Sequence, residues 1–213
     1  MKRFLSYIWP ITKYIDSSKN GRIEVTWIDG KKVLNTKNAN FSYGTSQKIL
    51  KYGLSKIEVH QTSEILLLGL GAGSVVKTLR KNFKHTGKIK ALEIDKVIID
   101  VAQKEFNLMN DDALEIICGD AFEYIKNTEK TYDIVIVDIF IDRNLPDECY
   151  TSEFWENLSE ITKTKGFIVF NAGFYQLDNK KLADTLRNFE AVFDFSKYDK
   201  IQGNSTVLVA KKV

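Results

Sequence analysis

The sequence contains few of the residues that build metal sites, disulfide frameworks or strongly charged surfaces. Among its 213 residues there are only two cysteines, two histidines and two prolines. Cys118 and Cys149 show neither metal-ligand nor disulfide spacing, and His60 and His85 are expected at the surface. The 31 basic and 28 acidic side chains give a net charge of +3, too small to indicate a nucleic-acid partner. These shortages predict a cytoplasmic protein with free thiols, no metal and no nucleic acid.

The sequence also lacks an apolar run long enough to cross a bilayer. The apolar stretch near the N-terminus, residues 4–11, contains Pro10 and is soon followed by Lys13 and Asp16. No small-residue cleavage pattern follows it. Its apolar residues have helical spacing, so we interpret the stretch as a helix for packing or oligomer contact and predict no membrane partner.

The composition is rich enough in apolar residues to build one full core. Hydrophobic residues make up 44% of the chain and aromatic residues 12%, and a chain of this length buries about 70% of its unfolded surface. Residues 22–35 alternate apolar and polar side chains around Asp29-Gly30, which predicts a β-hairpin. We therefore divide the chain into an N-terminal segment with a hairpin, 1–44, and a main domain, 45–213.

Strand-like and helical patterns alternate through the main domain. Near-continuous apolar strands separated by helices predict an α/β fold with a parallel sheet covered on both faces. The last two strands are joined by a loop too short for a crossover helix, so they are expected to be antiparallel. The predicted strands are 65–68, 89–94, 114–118, 134–137, 167–170, 191–195 and 206–210, and the predicted helices are 45–55, 74–83, 96–107, 120–127, 152–162 and 178–188.

A glycine-rich turn follows the first strand of the main domain, at Gly69, Gly71 and Gly73. Glycine lets a nucleotide-like ligand approach the backbone because no Cβ stands in the way. Glu93 follows 20 residues after Gly73, at the end of the next strand, where a carboxylate can accept hydrogen bonds from both hydroxyls of a ribose. The pattern predicts a nucleoside-cofactor site.

Two further features favour S-adenosylmethionine or a close relative over NAD. Asp120 and Ala121 follow the third strand, where the Asp carboxylate can accept a hydrogen bond from an adenine amino group. The chain also ends in an antiparallel strand pair, whereas dinucleotide sheets continue in parallel. Simple helix-capping roles for Glu93 and Asp120 stay open as alternatives.

In combination, these motifs resemble those of the spermidine synthase family of class I methyltransferase-fold proteins. The resemblance implies a Rossmann-like sheet of parallel strands with an antiparallel C-terminal pair, preceded by a small N-terminal hairpin. It also implies that Glu93 holds the ribose, that Asp120 binds adenine, and that Asp138 helps remove the proton from an attacking amine. Within residues 22–172 the motifs that carry it are Asn40–Tyr43, Leu68–Ser74, Leu92–Asp95, Gly119–Ala121, Tyr132–Asp138, Pro146 and Phe154.

The acceptor side departs from that family's pattern. The second acid after the fourth strand is displaced by one residue to Asp142, and Ile141 takes its place. The acid expected two residues after Tyr43 is absent, Asn171 replaces a glutamine, and the glycine turn has Ala72 where the synthases often have an acid. We expect Tyr43, Asp142 and Asn171 to line an acceptor pocket that is more apolar than the family's.

These departures leave three functional interpretations. The leading one is an S-adenosylmethionine-dependent methyltransferase that acts on a small-molecule acceptor. The first alternative is a polyamine aminopropyltransferase that uses decarboxylated S-adenosylmethionine, with Asp142 compensating for the displaced acid. The second is a non-catalytic nucleoside-binding protein, since a fold does not fix a function. A homodimer through the N-terminal hairpin is also predicted.

Overall fold

The computed structural model describes residues 2–36, 40–141, 144–174 and 179–213. The N-terminal part is an antiparallel sheet whose strands follow chain order. Its elements are α1 (Lys2–Leu5), β1 (Ile11–Ser17), β2 (Gly21–Ile28), β3 (Lys31–Thr36) and β4 (Asn40–Ser42).

The predicted hairpin is confirmed as the β2–β3 pair. Asp29 and Gly30 both have positive φ, at 49° and 68°, which is the backbone geometry that suits a tight hairpin turn. The helix predicted over residues 4–11 is wrong, because α1 ends at Leu5 and β1 starts at Ile11, opposite Trp27 of β2. Pro10 lies between them, and a proline cannot continue the hydrogen bonding of a helix.

Several apolar side chains before β1 are exposed. Phe4, Ile8 and Trp9 are 77%, 84% and 76% exposed. Exposed apolar groups of this size are typical of a contact surface, and the homodimer through this end of the chain stays a prediction. No helix in the described ranges is long and apolar enough to cross a membrane.

The main sheet has seven strands, in the order β10-β11-β9-β8-β5-β6-β7. The strands β5 to β9 pair in parallel, whereas β11 is antiparallel to both β9 and β10. The predicted Rossmann-like α/β fold with an antiparallel C-terminal pair is therefore confirmed. Its elements are α2 (Thr45–Leu54), β5 (Ile65–Leu68), α3 (Ser74–Asn82), β6 (Ile89–Glu93), α4 (Lys96–Phe106), β7 (Leu114–Cys118), α5 (Ala121–Asn127), β8 (Tyr132–Val137), α6 (Ser152–Ile161), β9 (Thr162–Phe174), α7 (Asn179–Arg187), β10 (Phe193–Ile201) and β11 (Ser205–Lys212).

The strand order reverses at β5, which has β6 on one side and β8 on the other. In open α/β sheets, the crevice at the carboxyl ends of the strands on either side of such a reversal is where ligands bind. All four residues of β5 are buried, so this strand lies inside the sheet and presents its carboxyl end to that crevice.

The apolar core covers both faces of the main sheet and extends under the N-terminal sheet. Trp155 and Phe170 belong to a buried cluster on one face, and Leu67 and Leu79 to a cluster on the other. A third cluster joins the N-terminal sheet to the glycine turn and α4; its buried members are Ile23, Val25, Leu34, Ala72, Ile98, Val101 and Phe106. The N-terminal sheet is thus packed directly against the predicted cofactor side of the main domain.

His85 is buried, so its predicted surface position is wrong. Arg80 Nη1 donates to His85 Nδ1 at 2.9 Å, and His85 Nε2 donates to the Ser63 carbonyl at 2.7 Å. Since arginine can only donate, Nδ1 must accept and Nε2 carries the proton. Burial lowers the pKa of His85, and the neutral ring serves to tie the end of α3 to the start of β5.

Candidate active site

A cavity of about 460 Å³ opens at the carboxyl ends of the parallel strands. Gly73 and Tyr43 do not line this cavity, and Asp142 lies outside the described residues. The predicted site residues that the structure brings together on its wall are Gly69, Gly71, Glu93, Asp120, Ala121, Asp138 and Asn171.

The glycine turn is packed against the ends of two neighbouring strands. Gly69 has a φ of +93°, and a Cβ built there would lie 2.2 Å from the Asp138 carbonyl oxygen. Gly73 has a φ of +80° and would collide with Leu108, so it serves the packing of the turn at the N-terminus of α3. The close approach at Gly69 fixes the position of Asp138 relative to the turn.

Glu93 is oriented by the backbone. Its Oε2 accepts from the Gly71 amide at 3.0 Å, and its Oε1 accepts from the Asp95 amide at 3.1 Å. The side chain is 6% exposed, and burial raises the pKa of Glu93 to about 7. The cap of α4 is Asp95, which accepts from the Val97 amide. The capping alternative for Glu93 is therefore wrong, and its remaining lone pairs can accept from ligand hydroxyls.

Asp95 also connects the N-terminal sheet to the cavity. Ser17 Oγ donates to Asp95 Oδ2, and Asn20 Nδ2 donates to the same oxygen at 2.6 Å. Asn20, in the turn between β1 and β2, lines the cavity. Sequence reasoning missed this contact because it joins residues 75 positions apart and no local motif marks it.

Asp120 both caps a helix and lines the cavity. Its Oδ1 accepts from the Phe122 amide at 2.8 Å and from the Glu123 amide at 3.5 Å. Asp120 therefore caps α5, but it is not only a cap, because it also lines the cavity and both capping bonds end on one oxygen. The other oxygen, Oδ2, is the acceptor that Asp120 can offer to an adenine amino group, while Ala121 and Phe122 supply apolar surface beside it.

Asp138, which directly follows β8, and Asn171, within β9, form a hydrogen-bonded pair. Asn171 Nδ2 donates to Asp138 Oδ1 at 2.9 Å, and the Gly173 amide donates to Asn171 Oδ1 at 3.2 Å, which orients the amide group. Burial raises the pKa of Asp138 to about 6, against the opposing effect of the Asn171 hydrogen bond. Asp138 is therefore ionised at neutral pH and basic enough to accept a proton.

Tyr43 packs away from the cavity. Its ring stacks on Phe106 with centroids 4.7 Å apart, and Lys77 Nζ lies 4.8 Å from its ring centroid. Burial raises the pKa of Tyr43, and its hydroxyl has no partner among the described residues. The structure brings Thr45 and Ser46 to the cavity instead, so the acceptor role predicted for Tyr43 has no contact to support it.

The acceptor side of the cavity combines an apolar wall with one unpredicted acid. The apolar wall expected after Asp138 is present as Ile139, Phe140 and Ile141, and Glu148 adds a carboxylate. Four carboxyl side chains therefore line the cavity, those of Glu93, Asp120, Asp138 and Glu148. The described lining residues include no lysine, arginine or histidine. Nor do the described residues contain a group of three or more His, Cys, Asp or Glu side chains placed to hold a metal ion. The electrostatics of the cavity suit a cationic ligand.

Comparison with known protein structures gives the same fold. A probable spermidine synthase from Corynebacterium glutamicum superimposes with a TM-score of 0.67 at 15% identity, over 96% of this chain and 77% of that one. Human methyltransferase-like protein 13 in complex with SAH superimposes with a TM-score of 0.63 at 21% identity, over 79% and 81% of the two chains. At these identities the likeness shows a shared fold alone.

Sequence comparison identifies the family. A polyamine aminopropyltransferase of Thermococcus onnurineus is 31% identical over 140 residues, 63% of this chain and 49% of the relative. One from a Ruegeria species is 25% identical over 169 residues, 76% of this chain and 57% of the relative. The chain thus spans about half the length of the curated relatives it matches. The model of the spermine/spermidine synthase domain matches residues 43–201, which is more than half of the chain, and the chain therefore belongs to the spermine/spermidine synthase domain family.

Proposed function

We propose that this protein transfers an aminopropyl group from decarboxylated S-adenosylmethionine to a small amine acceptor. The observation that carries the proposal is the cavity lined by four carboxyl groups and, among its described residues, by no basic side chain. A methyl donor brings a carboxylate into that cavity, where like charges repel it. The aminopropyl donor lacks that carboxylate and keeps the ammonium group that both donors carry, which the acids attract. The relatives favour this alternative over the methyltransferase interpretation.

The residues present fit the nucleoside part of such a donor. Glu93 is held by two backbone amides before any ligand arrives, so its acceptor oxygens need no reorganisation to meet the ribose hydroxyls. Asp120 offers Oδ2 to the adenine amino group, and Gly69 has no Cβ to collide with the Asp138 carbonyl oxygen beside the turn. When bound, the donor supplies an electrophilic carbon next to a sulfonium sulfur.

Asp138 performs the proton chemistry in this proposal. An ammonium group cannot attack carbon until it loses a proton, and the Asp138 carboxylate can orient the amine and accept that proton. The amine nitrogen then forms its bond to carbon as the carbon–sulfur bond breaks, and the electron pair of that bond stays on sulfur as a thioether. Asn171 is a positioning residue because its amide holds the Asp138 carboxylate at 2.9 Å. An oriented, ionisable Asp138 favours an enzyme over a non-catalytic binding protein.

Methyl transfer is the second candidate, and two observations favour it. Ile139, Phe140 and Ile141 make the wall after Asp138 apolar. Ala72, which replaces an acid often found in the glycine turn of the synthases, is fully buried in the cluster beneath the N-terminal sheet. Both features remove polar contacts that a doubly cationic acceptor or donor would use.

A donor comparison tests the proposed function directly. We expect decarboxylated S-adenosylmethionine to bind at least about tenfold more tightly than S-adenosylmethionine, because only the latter places a carboxylate among acids. Calorimetry measures both affinities, and mass spectrometry of amine acceptors incubated with each donor separates aminopropyl from methyl products. Methylated product from S-adenosylmethionine, with no aminopropyl product from the other donor, would replace this proposal with the second candidate.

Replacing Glu93 tests the nucleoside site alone. We expect Glu93→Ala to weaken binding of 5′-methylthioadenosine by about 1.5–3 kcal/mol, the usual effect of losing charge-assisted hydrogen bonds. Because burial raises the pKa of Glu93 to about 7 and hydroxyl donors favour its charged form, wild-type affinity is expected to fall as pH drops below that value. Calorimetry at several pH values checks both effects. Asp100→Ala, which removes an exposed acid paired with Lys96, is the control, and unchanged affinity in Glu93→Ala would remove Glu93 from the site.

A further inference from the structure

The turn before β1 presents a run of large apolar side chains to solvent. Phe4, Leu5, Tyr7, Ile8 and Trp9 are all exposed, and we call them the N-terminal apolar patch. Water solvates such groups poorly, and neighbouring exposed apolar side chains of this size mark a surface that binds a partner. The proposed function of the cavity gives this patch no role.

The patch is fixed to the β2–β3 hairpin. The buried Ser6 accepts from the Gly30 amide through Oγ at 3.1 Å, and its carbonyl accepts from the Asp29 amide at 3.0 Å. Ser6 Oγ also donates to the Arg3 carbonyl at 2.7 Å. The Tyr7 hydroxyl lies over Gly30, where a Cβ would be 2.2 Å from it. The apolar side chains therefore project from a rigid support and not from a loose tail.

The N-terminal segment also carries the excess positive charge of the chain. Residues 1–44 contain eight of the 31 basic and three of the 28 acidic side chains, a net charge of +5. The remaining 23 basic and 25 acidic side chains give −2. Lys2 and Arg3 directly precede the patch, and Lys31 follows the hairpin turn. All three are exposed, and no ion pair joins them to a residue in the described ranges. The patch is thus flanked by basic groups.

This charge distinguishes between two partners that bury apolar groups. In a two-fold contact through the patch, both copies of the chain would bring the same positive charge, and like charges repel. A bilayer with anionic lipids instead offers an apolar layer beneath negative phosphates. Tryptophan and tyrosine are enriched at that boundary, because their rings are apolar at one end and polar at the other. The composition and the charge of the patch both fit the lipid surface.

We propose that the N-terminal apolar patch and its basic flanks bind the surface of a membrane that contains anionic phospholipids. Phe4, Ile8 and Trp9 enter the boundary between headgroups and acyl chains, and Lys2 and Arg3 pair with phosphates. The sequence predicted no membrane partner because no run is long enough to span a bilayer, but binding at the surface does not require a spanning run.

Surface binding leaves the cavity accessible. The patch is tied to the turn at one end of β2, and Asn20, which lines the cavity, lies in the turn at the other end. The eight residues of β2 between these turns span about 25 Å. The inference therefore goes beyond the proposed function and does not depend on it.

Vesicle flotation tests the apolar part of the inference. The probes are vesicles of phosphatidylcholine alone and vesicles with about 30% phosphatidylserine added. We expect the wild type to bind only the second kind, and the double variant Ile8→Ser, Trp9→Ser to bind them at least about tenfold more weakly, because apolar transfer drives insertion. Met109→Ser, which removes an exposed apolar side chain from the main domain, is the control and is expected to match the wild type.

The basic flanks are tested with the same vesicles. We expect the double variant Lys2→Gln, Arg3→Gln to lower the vesicle affinity by about tenfold at low salt, and added salt to weaken wild-type binding. Lys84→Gln, Lys88→Gln removes two exposed charges from the main domain and is expected to change nothing. Circular dichroism checks that all four variants are folded.

Oligomeric state decides between the lipid surface and a second copy of the chain. A wild type that floats with anionic vesicles and loses this binding in both N-terminal variants supports the proposal. A wild type that binds neither kind of vesicle overturns it, and so does vesicle binding that survives Ile8→Ser, Trp9→Ser. Sedimentation of a wild-type dimer that this variant dissociates, without vesicle binding, would assign the patch to a homodimer instead. None of these measurements needs turnover, so failure here leaves the proposed function untouched.

Discussion

Asp138→Asn is expected to lower kcat for amine acceptors by about 10²- to 10⁴-fold, the usual contribution of a positioned general base. Asparagine keeps the size of the side chain and can accept the Asn171 Nδ2 hydrogen bond through its own carbonyl oxygen. It cannot accept a proton from an ammonium group. Steady-state assays with a fixed amine measure the loss, and a kcat within a few-fold of the wild type would exclude Asp138 as the base.

Thermal unfolding shows whether the loss comes from chemistry or from folding. Burial raises the pKa of Asp138 from 3.8 to about 6, so the wild-type fold loses stability as pH rises through that range, because its folded state favours the protonated form. The asparagine variant has no such charge to bury. We expect its melting temperature to equal or exceed that of the wild type above pH 6. A variant that is inactive but stable shows that the lost activity comes from chemistry and not from unfolding.

The same ionisation is expected in the pH profile of the wild type. Only ionised Asp138 accepts a proton, so kcat/KM for the amine at saturating donor falls as pH drops below about 6. Saturating donor suppresses the separate effect of Glu93 on donor binding. The residual activity of Asp138→Asn is expected to lack this acid limb, and a limb that persists unchanged in the variant would assign it to another group.

The main sheet could be predicted from the sequence because its strands are buried on both faces. Residues 65–68 and 134–137 are near-continuous branched apolar runs, a pattern that indicates parallel strands under two layers of helices. The residues of the nucleoside site could also be predicted, since Gly69, Glu93 and Asp120 each lie at or just after the end of a predicted strand. Parallel strands end at one edge of the sheet, so residues in that position meet at one cavity.

The N-terminal sheet and the acceptor side of the cavity could not be predicted in the same way, because they depend on contacts between residues that no local sequence pattern marks. The residues of β1 show little alternation of apolar and polar side chains, and the strand forms by pairing with β2. Asn20 is held at the cavity by its hydrogen bond to Asp95, 75 positions further along the chain. Tyr43 has the sequence context of a site residue but stacks on Phe106. Glu148 lies in a polar stretch with no motif, and the fold of the loop before α6 alone brings it to the cavity. The residues on the acceptor side are therefore the part of the site that is hardest to predict from the sequence.

Trp155→Ala is expected to lower the free energy of unfolding by about 3–5 kcal/mol, the range for removing a fully buried large aromatic side chain. Trp155 has no exposed surface. Its ring contacts Phe170 at 5.6 Å and Phe195 at 5.8 Å between centroids, so its removal leaves a cavity bordered by rigid rings that cannot close it. Chemical denaturation monitored by circular dichroism measures the change.

Trp155→Phe separates the packing of this ring from its hydrogen bond. Phenylalanine fills most of the space but cannot donate to the Cys149 carbonyl, as Trp155 Nε1 does at 3.1 Å. We expect a smaller loss of about 1–2 kcal/mol, the cost of a buried carbonyl left without its partner. The same bond joins α6 to the turn Asp147–Tyr150 that precedes it. Equal stability of Trp155→Phe and the wild type would show that packing alone fixes the turn.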